Sequence, residues 1–200
     1  AEGVKGLRVK ANCAEESEVA AMMKQAADTF GGIDVLVNNA ARTYFVPGSK
    51  LFDLTDEMWR NIFDLNVRGV FLCSREASRY LGNPSHIVSI GSIAGLTGDG
   101  SSIPYAASKG ALHTMTKSLA RALAPATRVN CIAPGYVDTR WTAGFGDIEA
   151  IRADEISVSP LKHATQPEDV AAGVLGLIEG GDLVTGQTLL LDGGRSLVSG

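Results

Sequence analysis

Tyr105 and Lys109 stand four residues apart in Tyr105-Ala106-Ala107-Ser108-Lys109, and Ser92 precedes them. On a helix, positions i and i+4 share a face, so this phenol and this ammonium project side by side. A free tyrosine has a pKa of about 10 and exchanges protons poorly at neutral pH. A cation held beside it stabilises the phenolate and moves that pKa toward the working range. Ser92 follows the apolar run His86-Ile87-Val88-Ser89-Ile90, the pattern of a buried parallel strand opening onto a Gly-rich loop. A hydroxyl at the carboxyl end of such a strand lies where open α/β sheets bind ligands. One hydroxyl that orients a substrate oxygen and a second that trades a proton with it can interconvert an alcohol and a carbonyl.

Tyr-x-x-x-Lys by itself is common on ordinary helix faces, so the weight rests on the segments around it. Asn38-Asn39-Ala40-Ala41 follows the apolar run from Ile33 to Val37, and Asn66-Val67-Arg68-Gly69 lies inside a long amphipathic stretch. Pro134-Gly135-Tyr136-Val137-Asp138-Thr139 follows the run from Arg128 to Ile132, and Asp192-Gly193-Gly194 closes the run from Thr188 to Leu191. In this order the set resembles the short-chain dehydrogenase/reductase family, in its compact single-domain branch, over nearly the whole chain. It is most similar there to 3-oxoacyl-carrier-protein reductases and to sugar or secondary-alcohol dehydrogenases.

The elements that must position these residues alternate between strand and helix, which calls for a parallel sheet covered on both faces. The pattern predicts a strand over residues 7–11 and a helix from Glu16 to Phe30, striped by Val19, Met22, Met23, Ala26, Ala27 and Phe30. It then predicts a strand over 33–37, a long helix over 56–81 opening after Thr55, and a strand over 87–90. A helix over about 102–123 is stopped by Pro125, and strands follow over 128–132 and 187–191. Between these last two, Thr165-Gln166-Pro167-Glu168 has the pattern of a capping box, opening a helix that ends at Gly180-Gly181. With no repeat or linker, residues 1–200 read as one Rossmann-like domain, an α/β doubly wound parallel sheet in three α/β/α layers.

A dinucleotide fold opens on a strand, a Gly-rich turn and a helix whose N-terminus receives the pyrophosphate. No such segment opens this chain, which begins with Ala1. Set beside the family, the sequence lacks the first two strands and the Gly-rich loop, on the order of 45 residues given that one βαβ unit takes 30 or more. It therefore reads as truncated, with a central strand missing between the segments at Leu7 and Ile33, and with poor solubility and no clean cooperative unfolding expected of the 200 residues alone. The residue that separates NAD from NADP falls in the missing part, so the resemblance implies NAD or NADP without choosing between them.

The resemblance also implies roles. Asn12 and Cys13 would reach the adenine, although the family more often has Asp-Val there. Asn39 and Ala40 would shape the loop against the adenosine ribose, with Ala41 in place of the usual Gly. Pro134, Gly135 and Val137 would present backbone to the nicotinamide carboxamide, and Thr139 would bond the same amide. Ser92 would hydrogen-bond the substrate oxygen, Tyr105 would act as general acid and base, and Lys109 would hold the ribose and lower the Tyr105 pKa. Asn66 would hold a water in the proton path to Lys109, or else satisfy backbone at a helix irregularity. The segment from Arg140 to Ser159 resembles a substrate lid, with Trp141, Phe145 and Ile148 either lining an apolar pocket or packing as lid anchors. Epimerases of the superfamily need a larger C-terminal domain than follows Tyr105, and enoyl reductases space their Tyr and Lys more widely. A catalytically inactive binding or scaffold member is the alternative.

Composition bounds the rest. The 200 residues are 45% hydrophobic with a net charge of −4, enough for a substantial core and without the basic footprint of a nucleic-acid binder. No run approaches the roughly 18 apolar residues of a membrane helix. Cys13, Cys73 and Cys131 form no paired motif, and His86, His113 and His163 show no ligand spacing, so no metal or disulfide is expected and a cytoplasmic setting is. Gly91-Ser92-Ile93-Ala94-Gly95 is not a hydrolase elbow, because its serine is not central. The helices around Asn66 and Tyr105 are apolar over more than one face, and in the family they form a two-fold interface. A homo-oligomer, dimer or tetramer, is expected, acting on a small alcohol or carbonyl.

Overall fold

The computed structural model of the chain describes residues 3–142 and 146–198. Its four strands are β1 (Ile33–Asn38), β2 (Leu81–Ile90), β3 (Thr127–Pro134) and β4 (Thr188–Leu191). They lie side by side in chain order, and every pairing is parallel. Helix α1 (Glu16–Phe30) leads into β1, and the helical crossovers that parallel neighbours need are α2 (Asp56–Phe63), α3 (Val70–Ala77), the short α4 (Ala94–Thr97), α5 (Ile103–Leu123), α6 (Ile148–Val158) and α7 (Pro167–Glu179).

The period-2 alternation of the strands divides the core. Leu36, Ile87 and Val129 share one face and pack against Ala120, Leu119 and Leu123 of α5. Val88, Ile90 and Ile132 point the other way, onto Val174 and Leu177 of α7. Val19 and Met23 of α1 meet Leu72, Cys73 and Ala77 of α3 in a further cluster that reaches Ile33 and Leu36. The three-layer reading therefore holds, with α1, α3 and α5 on one side and α7 on the other.

Local chemistry sets the helix ends. The Thr55 hydroxyl accepts from the Met58 amide to open α2. Gln166 and Asp169, rather than Thr165 and Glu168, form the capping box of α7, because Thr165 is drawn into a backbone bridge with Val137. The Arg128 guanidinium donates to the Leu177, Ile178 and Val184 carbonyls, placing a cation on the orphan acceptors at the end of α7.

Three expectations are corrected. Residues 7–11 form no strand; a strand needs a hydrogen-bonded neighbour, and among the described residues none lies between this segment and the open edge of β1. An apolar groove of about 660 Å³ runs along that edge instead, under Met22, Met23 and Phe30. The helix predicted over 56–81 is three pieces, α2 and α3 joined by a π-helical turn over Asp64–Gly69, and it stops at Ala77. β2 consequently begins at Leu81 and not at Ile87. Among the described residues no helix is long and apolar enough to cross a membrane.

Candidate active site

Ser92 is clamped by backbone. Beyond β2, the Gly91 amide donates to the Ile132 carbonyl (2.6 Å) and the Ile93 amide to the Pro134 carbonyl (3.0 Å), so the residue between them is fixed against β3. Its Oγ accepts from the Ala94 amide at 3.2 Å and lies near enough to the Tyr105 phenol to act on its pKa. Tyr105 occupies the first turn of α5, its ring 6.4 Å from that of Trp141 and tilted by 48°. One turn further on, the Lys109 ammonium donates to the Ile90 carbonyl at 2.7 Å and lies over the Tyr105 ring, 5.6 Å from its centroid.

The electrostatics differ from expectation in one respect. Burial pushes the Tyr105 phenol above its ordinary value, and the nearby Ser92 hydroxyl acts against it. Lys109 does not depress it here, because the ammonium is directed at the Ile90 carbonyl and the ring, not at the phenol oxygen. Lys109 itself is 4% exposed, and burial pulls its pKa down to about 8. At neutral pH the pair is therefore a protonated phenol beside a largely protonated ammonium.

Asn66 sits in the π-helical turn, which rotates its buried side chain toward α5. Its Oδ1 accepts from the Arg42 amide (2.8 Å), while Nδ2 donates to the Arg42 carbonyl (2.9 Å) and to Ser108 Oγ (3.1 Å). Ser108 in turn donates to the Tyr105 carbonyl at 2.7 Å. The Asn66 amide thus staples the loop after β1 to the turn that carries Tyr105, and both of its N–H donors are used in doing so. Arg42 and Ser108 were not among the expected site residues, although Arg42 directly follows Asn38-Asn39-Ala40-Ala41 and Ser108 lies between Tyr105 and Lys109. Asn66→Ala would leave the Arg42 amide and carbonyl without this partner, at a cost of about 1–3 kcal/mol. Urea unfolding of the full-length protein should show that loss, and turnover should fall with it as the Tyr105 turn loosens.

A cleft of about 1410 Å³ opens over these groups. It is lined by Ser92, Tyr105 and Lys109, and also by Asn39, Ala40, Pro134, Gly135, Val137 and Thr139, all expected at a nicotinamide cofactor. Cys13 lines the neighbouring groove beside β1, which meets the cleft at Asn39 and Ala40. Asn12 lines neither; its Oδ1 accepts from the Ala14 amide ahead of α1. Gly69 lets this turn approach, since a Cβ there would lie 2.9 Å from the Cys13 carbonyl oxygen. The buried member of the asparagine pair is Asn38, which donates to Ser74 and Ser89 and pins β1 to α3 and β2. The Thr139 hydroxyl donates to the Val137 carbonyl.

Of the lid residues, Trp141 lines the cleft and Ile148 does not; Ile151, one turn into α6, takes its place. Phe145 lies outside the described residues. The Arg152 guanidinium bonds Asp138 (Nε to Oδ2, 2.8 Å) and so latches α6 to the loop that follows β3.

Lys109 supplies the test of whether a cofactor fits. A buried ammonium that spends one of its three donors on a carbonyl, beside an open cleft, suits a neutral polyol such as a ribose. Among the described residues, no group of three or more His, Cys, Asp and Glu could hold a metal ion.

Comparison with known proteins agrees with this geometry. The family model described as enoyl-(acyl carrier protein) reductase matches residues 1–196. The protein named as ketoacyl reductase 2 of the granaticin polyketide synthase from Streptomyces violaceoruber is 42% identical over 195 residues, 96% of this chain and 78% of that one. The cis-4-hydroxycyclohexanecarboxylate dehydrogenase of Sinomonas cyclohexanicum is 34% identical over 98% of this chain and 79% of its own length. A short-chain dehydrogenase/reductase from Burkholderia xenovorans superposes with a TM-score of 0.90 at 31% identity, covering 98% of this chain and 78% of that one. Matched by this family model over residues 1–196 and by dehydrogenases and reductases over nearly its whole length, this oxidoreductase belongs to the short-chain dehydrogenase/reductase family.

Proposed function

We propose that the chain interconverts a secondary alcohol and a carbonyl using NAD or NADP, with Tyr105 as general acid and base. The observation that carries this reading is the convergence of the Ser92 and Tyr105 hydroxyls and the Lys109 ammonium on the lining of one cleft, with the ammonium over the Tyr105 ring. The nicotinamide, when bound, supplies or takes the hydride. Ser92, fixed by its flanking backbone bonds, orients the substrate oxygen and stabilises charge developing there. Tyr105, protonated at neutral pH, donates to that oxygen in reduction and accepts from it in oxidation. Lys109 would offer its remaining donors to the cofactor ribose, which Asn39, Ala40, Pro134, Gly135, Val137 and Thr139 would help to seat, with Asn12 and Cys13 toward the adenine. Asn66 works through Ser108 on the backbone of Tyr105. Titrating the protein with NADH and with NADPH, followed by cofactor fluorescence, tests the reading and chooses between them. A chain that binds neither is the inactive scaffold of the alternative reading.

Around Tyr105 the cleft wall is Ile93, Trp141 and Ile151, which suits an apolar carbonyl compound. Relatives named for ketoacyl and cyclic hydroxy-acid substrates fit that wall. Three free cysteines, with Cys73 pushed up to about 12 by burial and Cys131 to about 11, agree with a reducing, cytoplasmic setting.

A homo-oligomer, dimer or tetramer, is part of the same proposal. Trp59 stacks on Phe63, and together with Phe71 it leaves an apolar arc on α2 and α3 partly exposed, at 37% for Trp59 and 42% for Phe71. Sedimentation equilibrium at micromolar concentration should give a dimer or larger. A stable monomer there would overturn the expectation.

A further inference from the structure

His113 lies on the same stripe of α5 as Tyr105 and Lys109, one turn beyond the lysine. It is 7% exposed, and neither Nδ1 nor Nε2 has a hydrogen-bond partner. A buried polar group left unpaired costs stability, so its presence calls for an explanation. Its neighbours supply one. A Cβ on Gly91 would lie 2.7 Å from His113 Nε2, and a Cβ on Gly95 would lie 2.8 Å from His113 Cε1. The imidazole is therefore wedged against both ends of the turn that carries Ser92. Cys131 Sγ closes the far side of Gly91, also 2.7 Å from that Cβ.

Building on the function proposed above, we propose that His113 is a positioning residue: its neutral imidazole holds the Ser92 turn in place against α5, and protonating the ring displaces that turn. The titratable groups around it are Lys109 and Lys117 on its own helix and the Cys131 thiol on β3. The turn and α4 contribute none. Both lysines and the surrounding burial disfavour an imidazolium, so the ring is neutral through physiological pH. A second ring proton would bring charge and an additional unsatisfied donor into a contact that has no room for a methyl group on either glycine.

Carbonyl reduction gives this a readout that packing alone does not move. The reaction needs Tyr105 protonated, so acid does not disable its general acid. A fall in kcat on the acid side, below the ordinary imidazole value of about 6.5, then reports on His113. We expect wild-type reduction to show that fall. His113→Ala should lower kcat by about ten- to hundredfold, the scale of a small misplacement of a reacting group, with the KM for cofactor unchanged. His113→Gln, which fills the wedge and cannot be protonated, should recover most of the loss and show no acid fall. In parallel, NMR titration of the wild-type protein should show the backbone amides of Gly91, Ser92 and Gly95 shifting together with the His113 ring. This arm needs neither a variant nor catalysis, so it decides the role of His113 even if the reductase reading fails. Amides that ignore the His113 titration would overturn the proposal, and so would an acid fall that persists in His113→Gln.

Discussion

Tyr105→Phe should lower carbonyl-reductase kcat by about 10²- to 10⁴-fold, the range for removing a general acid, while leaving the fold and most of the cofactor affinity in place. The Tyr105 ring packs beside Trp141, and a phenylalanine ring can hold the same position. What disappears is the hydroxyl that stands beside Ser92 on the cleft. Burial keeps that hydroxyl protonated well into alkaline conditions, so at neutral pH the wild-type enzyme carries its proton ready for the substrate oxygen. Ser92 borders the cleft and can turn to water when that hydroxyl is gone, so little stability should be lost. Steady-state reduction of a panel of apolar ketones, set against NADH and NADPH titrations of the same variant, separates the two effects. Near wild-type turnover in Tyr105→Phe would remove Tyr105 from the chemistry and with it the proposed mechanism.

The parts of this molecule that local pattern determines could be read from its sequence. The stripe from Val19 to Phe30 placed α1 at its observed bounds, because an amphipathic face followed by Gly31-Gly32 encodes both a helix and its end. The i, i+4 relation of Tyr105 and Lys109 held for the same reason, since one helical turn fixes it. Features that depend on partners distant in sequence were harder to read. The π-helical turn over Asp64–Gly69 has no compositional mark, and only the tertiary bonds of Asn66 to Arg42 and Ser108 show what it positions. The early start of β2 passes through Gly82-Asn83-Pro84, residues that signal a turn in isolation and here fill the irregularity between the Ile33–Leu81 and Val35–His86 pairings. Residues 7–11 have the composition of a strand and do not form one, since sheet formation depends on a neighbour and not on the segment alone. Ile151 replaced Ile148 in the cleft wall because the Asp147 cap sets where α6 begins and hence which residues face inward.

Lys109→Met should bind cofactor about ten- to hundredfold more weakly, the loss expected of charge-assisted hydrogen bonds, and should turn over more slowly. It should also melt at a higher temperature. The ammonium is buried with the Ile90 carbonyl as its hydrogen-bond acceptor, and its pKa falls from 10.5 to about 8. Between those values the unfolded chain holds a proton that the folded one has released, so stability rises with pH across that window. Below about 8 the folded protein bears the full cost of the buried charge, on the order of 3 kcal/mol. Methionine fills a similar volume without that cost. The same titration shapes the kinetics. Because burial moves Tyr105 upward and Lys109 downward, the wild-type alkaline fall in reduction rate should lie near pH 8 and belong to Lys109. In Lys109→Met that fall should vanish, and whatever activity remains should persist until the higher pH at which Tyr105 itself ionises. Calorimetry, cofactor titration and a pH–rate profile test the three parts separately. Unchanged cofactor affinity, or an alkaline fall still near pH 8, would remove Lys109 from the role assigned to it.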